Sequence, residues 1–192
     1  MSSLTSSRAD APERILDAAA RLLVSAGASE LSMQDVATEA GVSKGLIHYH
    51  YQDKDTLLAR VVDWMTSEMI RREDAVLAAA TSQTALDHLW RWLEEELERG
   101  YPRALIELAH YPGQRVQEAI QRSAAARRGA AVSTAQLLFR ALGLRPRLPA
   151  ALIADVVIAF VDGLAIQRVR SPEVQPRLVF DVFWLSMLSL AD

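Results

Sequence analysis

The 192-residue sequence contains no cysteine and only two lysines. Without cysteine the chain has no disulfide scaffold, no thiolate zinc site and no thiol nucleophile. Glycine and proline are also sparse, at 8 and 7 residues, and no segment alternates apolar and polar residues as a half-buried strand does. Alanine, leucine, arginine and glutamate dominate, and all four favour helices. These features predict an all-α fold.

Long hydrophobic runs are missing as well. The two longest apolar segments, residues 156–161 and 182–191, are shorter than the ~20 residues that a membrane span needs. The N-terminal segment carries charge but no apolar stretch, unlike a secretory signal, and residues 1–9 are expected to form a mobile tail. We therefore expect a cytoplasmic protein without membrane contact.

Capping residues and glycines divide the chain into about nine helices. A Ser or Asp stands before four of the predicted helices, where its side chain can accept an orphan backbone N–H, and glycines stand where the first two helices end. The predicted N-caps are Asp10, Ser32, Ser43 and Asp53, the C-terminal glycines are Gly27 and Gly41, and later breaks fall near Thr81 and at residues 100–102, 112–113, 143–149 and 171–176.

Helix length changes near residue 55. The predicted helices before it are short and closely spaced, and those after it are long and apolar. A unit as small as the first one gains stability by sharing a helix with the second. The sequence therefore predicts a unit over residues 10–55 and a larger one over residues 56–192, both on a continuous fourth helix.

The segment 31–54 has the outline of a helix-turn-helix. Two short amphipathic helices flank the turn Gly41-Val42-Ser43, in which glycine permits a sharp reversal of the backbone. In this motif the second helix enters the major groove of DNA.

Local charge supports nucleic-acid binding. Residues 1–56 carry 5 basic and 8 acidic side chains, so bulk basicity is absent. However, the chain's two lysines, Lys44 and Lys54, bracket the proposed recognition helix, and no acidic residue lies between Gly41 and Gln52. A basic, acid-free strip attracts phosphates even on an acidic unit.

The stretch from Glu13 to Leu58 resembles the DNA-binding domain of the TetR family of bacterial repressors in the order and spacing of its features. The resemblance implies phosphate or base contacts for ten residues. They are Ser32, Gln34, Ser43, Lys44, Gly45, Leu46, His48, Tyr49, His50 and Lys54.

Three residues depart from the family pattern. Leu46 replaces a small polar residue, so a contact with a thymine methyl can stand in for a hydrogen bond. His48 replaces a common Tyr, and Tyr51 replaces a common Phe. For each of the ten residues the alternative is structural: Ser32 and Ser43 serve as helix caps, and the others as ordinary surface residues.

The resemblance also implies a small-molecule cavity in the C-terminal half. Methionine and aromatic side chains with a few polar tips are typical of such a pocket, although the same residues at helical spacing are more often plain core. The predicted ligand-binding residues are Trp64, Met65, Met69, Trp90, Tyr101, Leu105, His110, Tyr111 and Phe139.

The last two predicted helices, residues 150–169 and 177–190, are apolar on more than one face. A helix with several apolar faces needs more partners than its own chain supplies. Two such helices from each of two chains form a four-helix bundle across a two-fold axis. The predicted homodimer interface comprises Leu152, Val156, Ala159, Phe160, Gly163, Val182, Trp184 and Leu185.

These features predict a ligand-responsive transcriptional regulator, a repressor by resemblance, that binds double-stranded DNA and an unidentified small molecule. An enzyme is the first rival, but the sequence has no metalloprotease, P-loop or nucleophile-elbow motif. His48 and His50 point to different faces of a helix, so we expect no metal site and no cofactor. The second rival is a helical interaction or architectural module without ligand response.

The charge runs are predicted to be solvated surface, and the alternative for the arginine pairs is that they join ion pairs, which at exposed positions contribute only ~0–1 kcal/mol. The runs are Glu94-Glu95-Glu96 with Glu98, Arg71-Arg72 and Arg127-Arg128.

Overall fold

Helices dominate the computed structural model, which describes residues 11–171 and 173–192. Within those residues there are nine helices and no strand, apart from one isolated β-bridge, so the predicted all-α fold is confirmed. The predicted tail (residues 1–9) and the predicted cap Asp10 lie outside the described residues. The helices are α1 (Ala11–Glu30), α2 (Met33–Ala40), α3 (Lys44–His50), α4 (Lys54–Ala78), α5 (Ala85–Arg99), α6 (Tyr101–Leu108), α7 (Gln114–Ala141), α8 (Ala150–Arg170) and α9 (Pro176–Leu188).

The predicted caps of α2 and α3 are present. The Ser32 hydroxyl accepts a hydrogen bond from the amide of Asp35 at 3.1 Å, and the Ser43 hydroxyl accepts one from the amide of Leu46 at 3.2 Å. Gly41 ends α2 in the left-handed region, with φ 63°, where a side chain would be strained. Local side-chain chemistry therefore sets both ends of α2 and the start of α3.

Two predicted helix boundaries can be compared with the structure in detail. Gly27 has φ 82° and ψ 167°, outside the helical region, so the first helix breaks at the predicted glycine and a second short helical segment follows it up to Glu30. The fourth helix starts as predicted, since Asp53 accepts the amide of Thr56 at 2.7 Å. It ends at Ala78, slightly before the predicted stop.

The chain packs as two compact units. Unit 1 comprises the described residues up to Met65 together with Ala104–Ser123, and unit 2 comprises Thr66–Arg103 and Ala124–Asp192. Helix lengths along the sequence pointed to a boundary near residue 55 and did not indicate that a distant segment joins the first unit. The largest fully buried side chains include Ile15, Leu23, Ile47, Leu57 and Leu108 in unit 1 and Leu93, Leu138 and Phe180 in unit 2.

Unit 2 also buries charged side chains. Glu96 is fully buried and accepts two hydrogen bonds from Arg72, at 2.6 and 3.1 Å, while Arg72 also reaches Glu68 at 3.0 Å. Arg127 is largely buried and pairs with Asp162 at 2.5 Å. The prediction of a solvated surface is therefore wrong for Glu96, Arg72 and Arg127, because tertiary ion pairs let these charges leave water.

Helix α8 covers the predicted residues 150–169 and one further residue, Arg170. Over 18 residues its mean hydropathy is 1.9, so by length and composition alone it is able to cross a membrane, although 28% of that window is buried within the chain. Its two carboxylates, Asp155 and Asp162, pair with Arg128 at 2.6 Å and Arg127 at 2.5 Å on α7. The charged side of α8 thus packs against another helix of the protein.

Candidate nucleic-acid interface and an internal cavity

Helix α3 presents one face to solvent and buries the other. Ile47 is fully buried and anchors the helix in unit 1. Lys44, His48 and His50 are exposed, and Tyr49 is 80% exposed, which is unusual for an aromatic side chain. A short helix with a tyrosine, a lysine and two histidines in solvent offers several hydrogen-bond donors to phosphates and base edges.

The turn between α2 and α3 is held by a residue that sequence analysis missed. Arg14 of α1 donates hydrogen bonds to the carbonyl oxygens of Ala40 and Gly41, at 2.5 and 3.4 Å. These carbonyls end α2 and would otherwise lack a partner in the helix. Because Arg14 lies 26 residues from Ala40, no local sequence signal could identify this contact.

The ten predicted DNA-contacting residues all lie within residues 32–54, and none is buried. Gln34 is exposed at the start of α2, Gly45 is exposed, and Ser32 and Leu46 are half-buried. Lys54 differs from the rest, since its ammonium group donates to the carbonyl oxygen of Ser29 at 3.1 Å. The structure therefore brings these residues together in unit 1, and their contacts with DNA stay predictions.

Ion pairs neutralise acidic residues around this surface. Glu39 pairs with Arg21 at 3.1 Å, and Asp53 pairs with Arg115 at 3.1 Å. Exposed pairs such as these contribute only ~0–1 kcal/mol to stability. They do reduce the negative potential near α3, which favours the approach of a polyanion.

Unit 2 contains a cavity of about 60 Å³. Most of its lining is apolar, with three polar side chains, Glu73, Arg127 and Thr134. In the described part of the chain, no three His, Asp or Glu side chains gather to hold a metal ion. The lining consists of Met69, Ile70, Glu73, Leu89, Trp92, Leu93, Arg127, Ala130, Ala131, Thr134, Ala135, Val157, Ile158, Phe160, Val161, Phe180, Phe183 and Trp184.

The carboxyl group of Glu73 is the most perturbed group in the cavity. It is 8% exposed and accepts a hydrogen bond from the Thr134 hydroxyl at 2.7 Å. Burial disfavours the charged form and raises the pKa of Glu73 to about 7. The group is therefore poised between a proton donor and an anion near neutral pH.

The residues predicted to bind a ligand are scattered. Of the nine, Met69 lines the cavity. Trp90, Tyr101 and Phe139 are buried elsewhere in unit 2, where Trp90 makes an edge contact with Phe180 at 5.3 Å. The other five belong to unit 1, namely Trp64, Met65, Leu105, His110 and Tyr111.

His110, one of the nine predicted residues, contacts the helix that precedes it. The imidazole Nδ1 of His110 lies 3.2 Å from the carbonyl oxygen of Ile106, so this side chain can satisfy a carbonyl group near the end of α6. Glu73 was missed, although Met69, Glu73 and Leu77 follow each other at four-residue spacing on α4. A glutamate on an otherwise apolar helix face was the available signal.

An exposed apolar face on α8 and α9 contains most of the predicted interface residues. Leu152, Val156, Val182 and Leu185 are all exposed, as are Ala159 and Gly163, and Phe160 is half-buried. Trp184 corrects the prediction: it is only 3% exposed and lines the cavity, because its indole packs inward against Phe180 and Phe183.

Comparison with known proteins identifies similar chains. The family model described as bacterial regulatory proteins, tetR family, matches residues 15–61. The HTH-type transcriptional regulator BetI of Rhizobium meliloti is 32% identical over 162 residues, which cover 80% of this chain and 75% of that protein.

Two further similar proteins add detail. An HTH-type transcriptional repressor of Mycobacterium tuberculosis is 32% identical over 95 residues, 50% of each protein, so the match spans about half the length of that relative. A transcriptional regulator from Saccharomonospora viridis, crystallised in complex with choline, has a TM-score of 0.62 at 20% identity and covers 85% of this chain and 87% of its own. That structural match shows a common fold.

Proposed function

Because the chain belongs to the TetR family of bacterial transcriptional regulators, we propose that it is a ligand-responsive repressor that binds a palindromic operator as a homodimer. The exposed, acid-free surface of α3 is the observation that carries this proposal. It places Lys44 and Tyr49 in solvent on a helix that Ile47 anchors from below. A helix of this kind inserts into the major groove.

In this proposal Lys44 and Tyr49 contact phosphates, and Gln34, Leu46 and His50 are candidates for contacts with base edges. The bond from Lys54 to the Ser29 carbonyl occupies one of the three N–H groups of its ammonium. Two N–H groups remain for a phosphate, so Lys54 can hold the start of α4 and the DNA backbone together.

A homodimer supplies the two-fold symmetry that a palindrome requires. The exposed leucines and valines of α8 and α9 face solvent in the single chain, and burying apolar surface of this kind is favourable by roughly 25 cal/mol per Å². A four-helix bundle made from α8 and α9 of two chains buries it. The two recognition helices would then lie about 34–36 Å apart, one turn of DNA.

The cavity of unit 2 is the proposed effector site. Support comes from its polar groups inside apolar walls and from the choline complex of the Saccharomonospora viridis regulator. A ligand shifts the protein only through different affinities for the DNA-binding and released states, with a typical coupling of about 1–3 kcal/mol. Helix α4 contains both Lys54 and the cavity residue Met69, so we propose that it transmits the shift.

We expect Lys44→Ala and Tyr49→Phe each to weaken operator binding about 5- to 50-fold, since each removes a charge-assisted or hydroxyl contact worth ~1–2 kcal/mol. The operator is first recovered by selection from random duplex DNA, and affinity is then measured by gel shift. Arg140→Ala is the control, because it removes one exposed positive charge from α7. Wild-type affinity in both α3 variants, or no selected duplex, contradicts the proposal.

We expect Leu185→Glu to convert the dimer to a monomer at micromolar concentration and to lower operator affinity by at least about 100-fold. The leucine is 69% exposed on α9, and a buried carboxylate without a partner opposes association. Sedimentation velocity measures the assembly. Leu137→Glu, at a leucine 38% exposed on α7, should leave the dimer intact, and dissociation by both variants would place the interface elsewhere.

A further inference from the structure

Five aromatic side chains and Glu73 line the unit 2 cavity. The remaining side chains of the lining are mostly aliphatic. Aromatic faces carry negative electrostatic potential and attract cations, more strongly when water is excluded. The five rings belong to Trp92, Phe160, Phe180, Phe183 and Trp184.

The lining of the cavity contains two ionisable side chains, Glu73 and Arg127. Arg127, the cation of the lining, acts electrostatically on Glu73 but forms its ion pair with Asp162 at 2.5 Å. Glu73 has the Thr134 hydroxyl as its hydrogen-bond partner, and in the described part of the chain no Lys, Arg or His forms an ion pair with it. An ionised Glu73 therefore shares Arg127 with Asp162 and has no cation of its own.

We infer that the cavity binds a compact organic cation, whose ammonium group pairs with Glu73 and whose apolar body lies against the aromatic rings. This inference rests on the proposed effector site and specifies its ligand class. The cavity has about 60 Å³ of free space, which suits a ligand of a few heavy atoms. An anionic ligand would meet the carboxylate of Glu73, and a neutral one would leave that carboxylate without a counterion.

Three ligands with one shared tert-butyl body test the charge requirement directly. They are neopentylammonium, neopentyl alcohol and pivalate, which carry a positive, a neutral and a negative head. Binding to the full-length protein at pH 8 is measured by calorimetry and by the fluorescence of the cavity tryptophans. We expect the cation to bind at least about 10-fold more tightly than the alcohol, and pivalate to bind most weakly.

The variant Glu73→Gln keeps the size of the side chain and removes its charge. We expect it to lower the affinity for neopentylammonium about 10-fold or more and to change the affinity for the alcohol by no more than about 2-fold. Glu98→Gln is the matched control, since Glu98 is exposed and pairs with Arg168 at 3.6 Å outside the cavity lining. It should change neither affinity.

Binding of the cation should also depend on pH. Because the pKa of Glu73 is about 7, the carboxylate is mostly ionised at pH 8 and mostly protonated at pH 6, and we expect the cation to bind roughly 10-fold more weakly at pH 6. The charged groups around it are Asp74 on the same helix, Glu96 on α5, Arg127 on α7 and Asp162 on α8. In Glu73→Gln this dependence should disappear.

Failure of this inference is separable from failure of the proposed function. Equal binding of the three ligands, no binding by the cation, or a cation affinity unchanged in Glu73→Gln would overturn the cation site. The wild-type ranking alone decides the matter if Glu73→Gln does not fold. Operator binding without any ligand, measured in the same preparation, tests the regulator proposal independently.

Discussion

Arg72→Met is expected to lower the free energy of unfolding by about 3–5 kcal/mol, because it leaves the buried carboxylate of Glu96 with only the longer contact to Arg99 at 4.0 Å. The Nε and Nη2 atoms of Arg72 donate hydrogen bonds to the two carboxylate oxygens of Glu96, at 2.6 and 3.1 Å. The guanidinium group of Arg72 also lies 5.5 Å from the centre of the Tyr101 ring. Urea denaturation followed by circular dichroism measures the change. A loss below about 1 kcal/mol would show that Glu96 finds another partner or protonates at little cost.

The neighbouring arginine provides the control. Arg71 is 65% exposed where Arg72 is 18% exposed, and its bond to Glu68 at 2.6 Å is one of the surface type. Arg71→Met should therefore cost less than about 1 kcal/mol. The double variant Arg72→Met with Glu96→Leu should recover most of the loss, since it removes the stranded charge together with its partner.

Gly113→Ala is expected to destabilise the protein by about 2–3 kcal/mol. A Cβ atom at this position would lie 1.8 Å from the Oδ1 atom of Asp55 and 2.8 Å from the ring of Tyr111, so backbone or side chains must move. The other oxygen of Asp55 accepts the amide of Arg115 at 3.2 Å and thereby caps the first turn of α7. Displacing Asp55 breaks this cap, and loss of the cap adds to the steric cost.

Another glycine, Gly129 in unit 2, tests whether the clash, rather than the added methyl group, is responsible for the effect. Gly129 lies inside α7 with nothing within 4 Å of the position of a Cβ, so Gly129→Ala should stabilise the protein by about 0.5–1 kcal/mol. Thermal unfolding of both variants measures the opposite signs. A stabilised or neutral Gly113→Ala variant would mean that Asp55 does not approach α7 in solution.

The helix-turn-helix was predictable because its signals are local. Ser32 and Ser43 cap helices through residues three positions away, and Gly41 meets a backbone requirement that few other residues satisfy. The exposed face of α3 followed from the same periodicity that buries Ile47. The break of the first helix at Gly27 was predictable for the same reason, and the short helical segment that follows it up to Glu30 was not predicted.

Of the nine residues predicted to bind a ligand, Met69 lines the cavity. Hydrophobic burial in the sequence does not distinguish core from cavity. Met65 and Leu105 are buried in unit 1 and Phe139 packs in the core of unit 2, yet each looked like a pocket residue in the sequence. The residues that give the cavity its chemistry come from separate helices: Thr134 lies 61 positions from Glu73. No helical spacing in the sequence relates two residues so far apart.

The sequence by itself determined the helices, the caps of α2, α3 and α4 and the acid-free surface of α3, since each depends on residues within one or two helical turns of one another. Tertiary structure alone decided which charges are buried, which glycine tolerates no side chain and which apolar residues face a cavity. Arg71 and Arg72 are neighbouring residues of the same type, and the fold brings Glu96 of α5 and Tyr101 of α6 beside Arg72. Desolvation and packing depend on distant segments, so these properties appear only when the chain is folded.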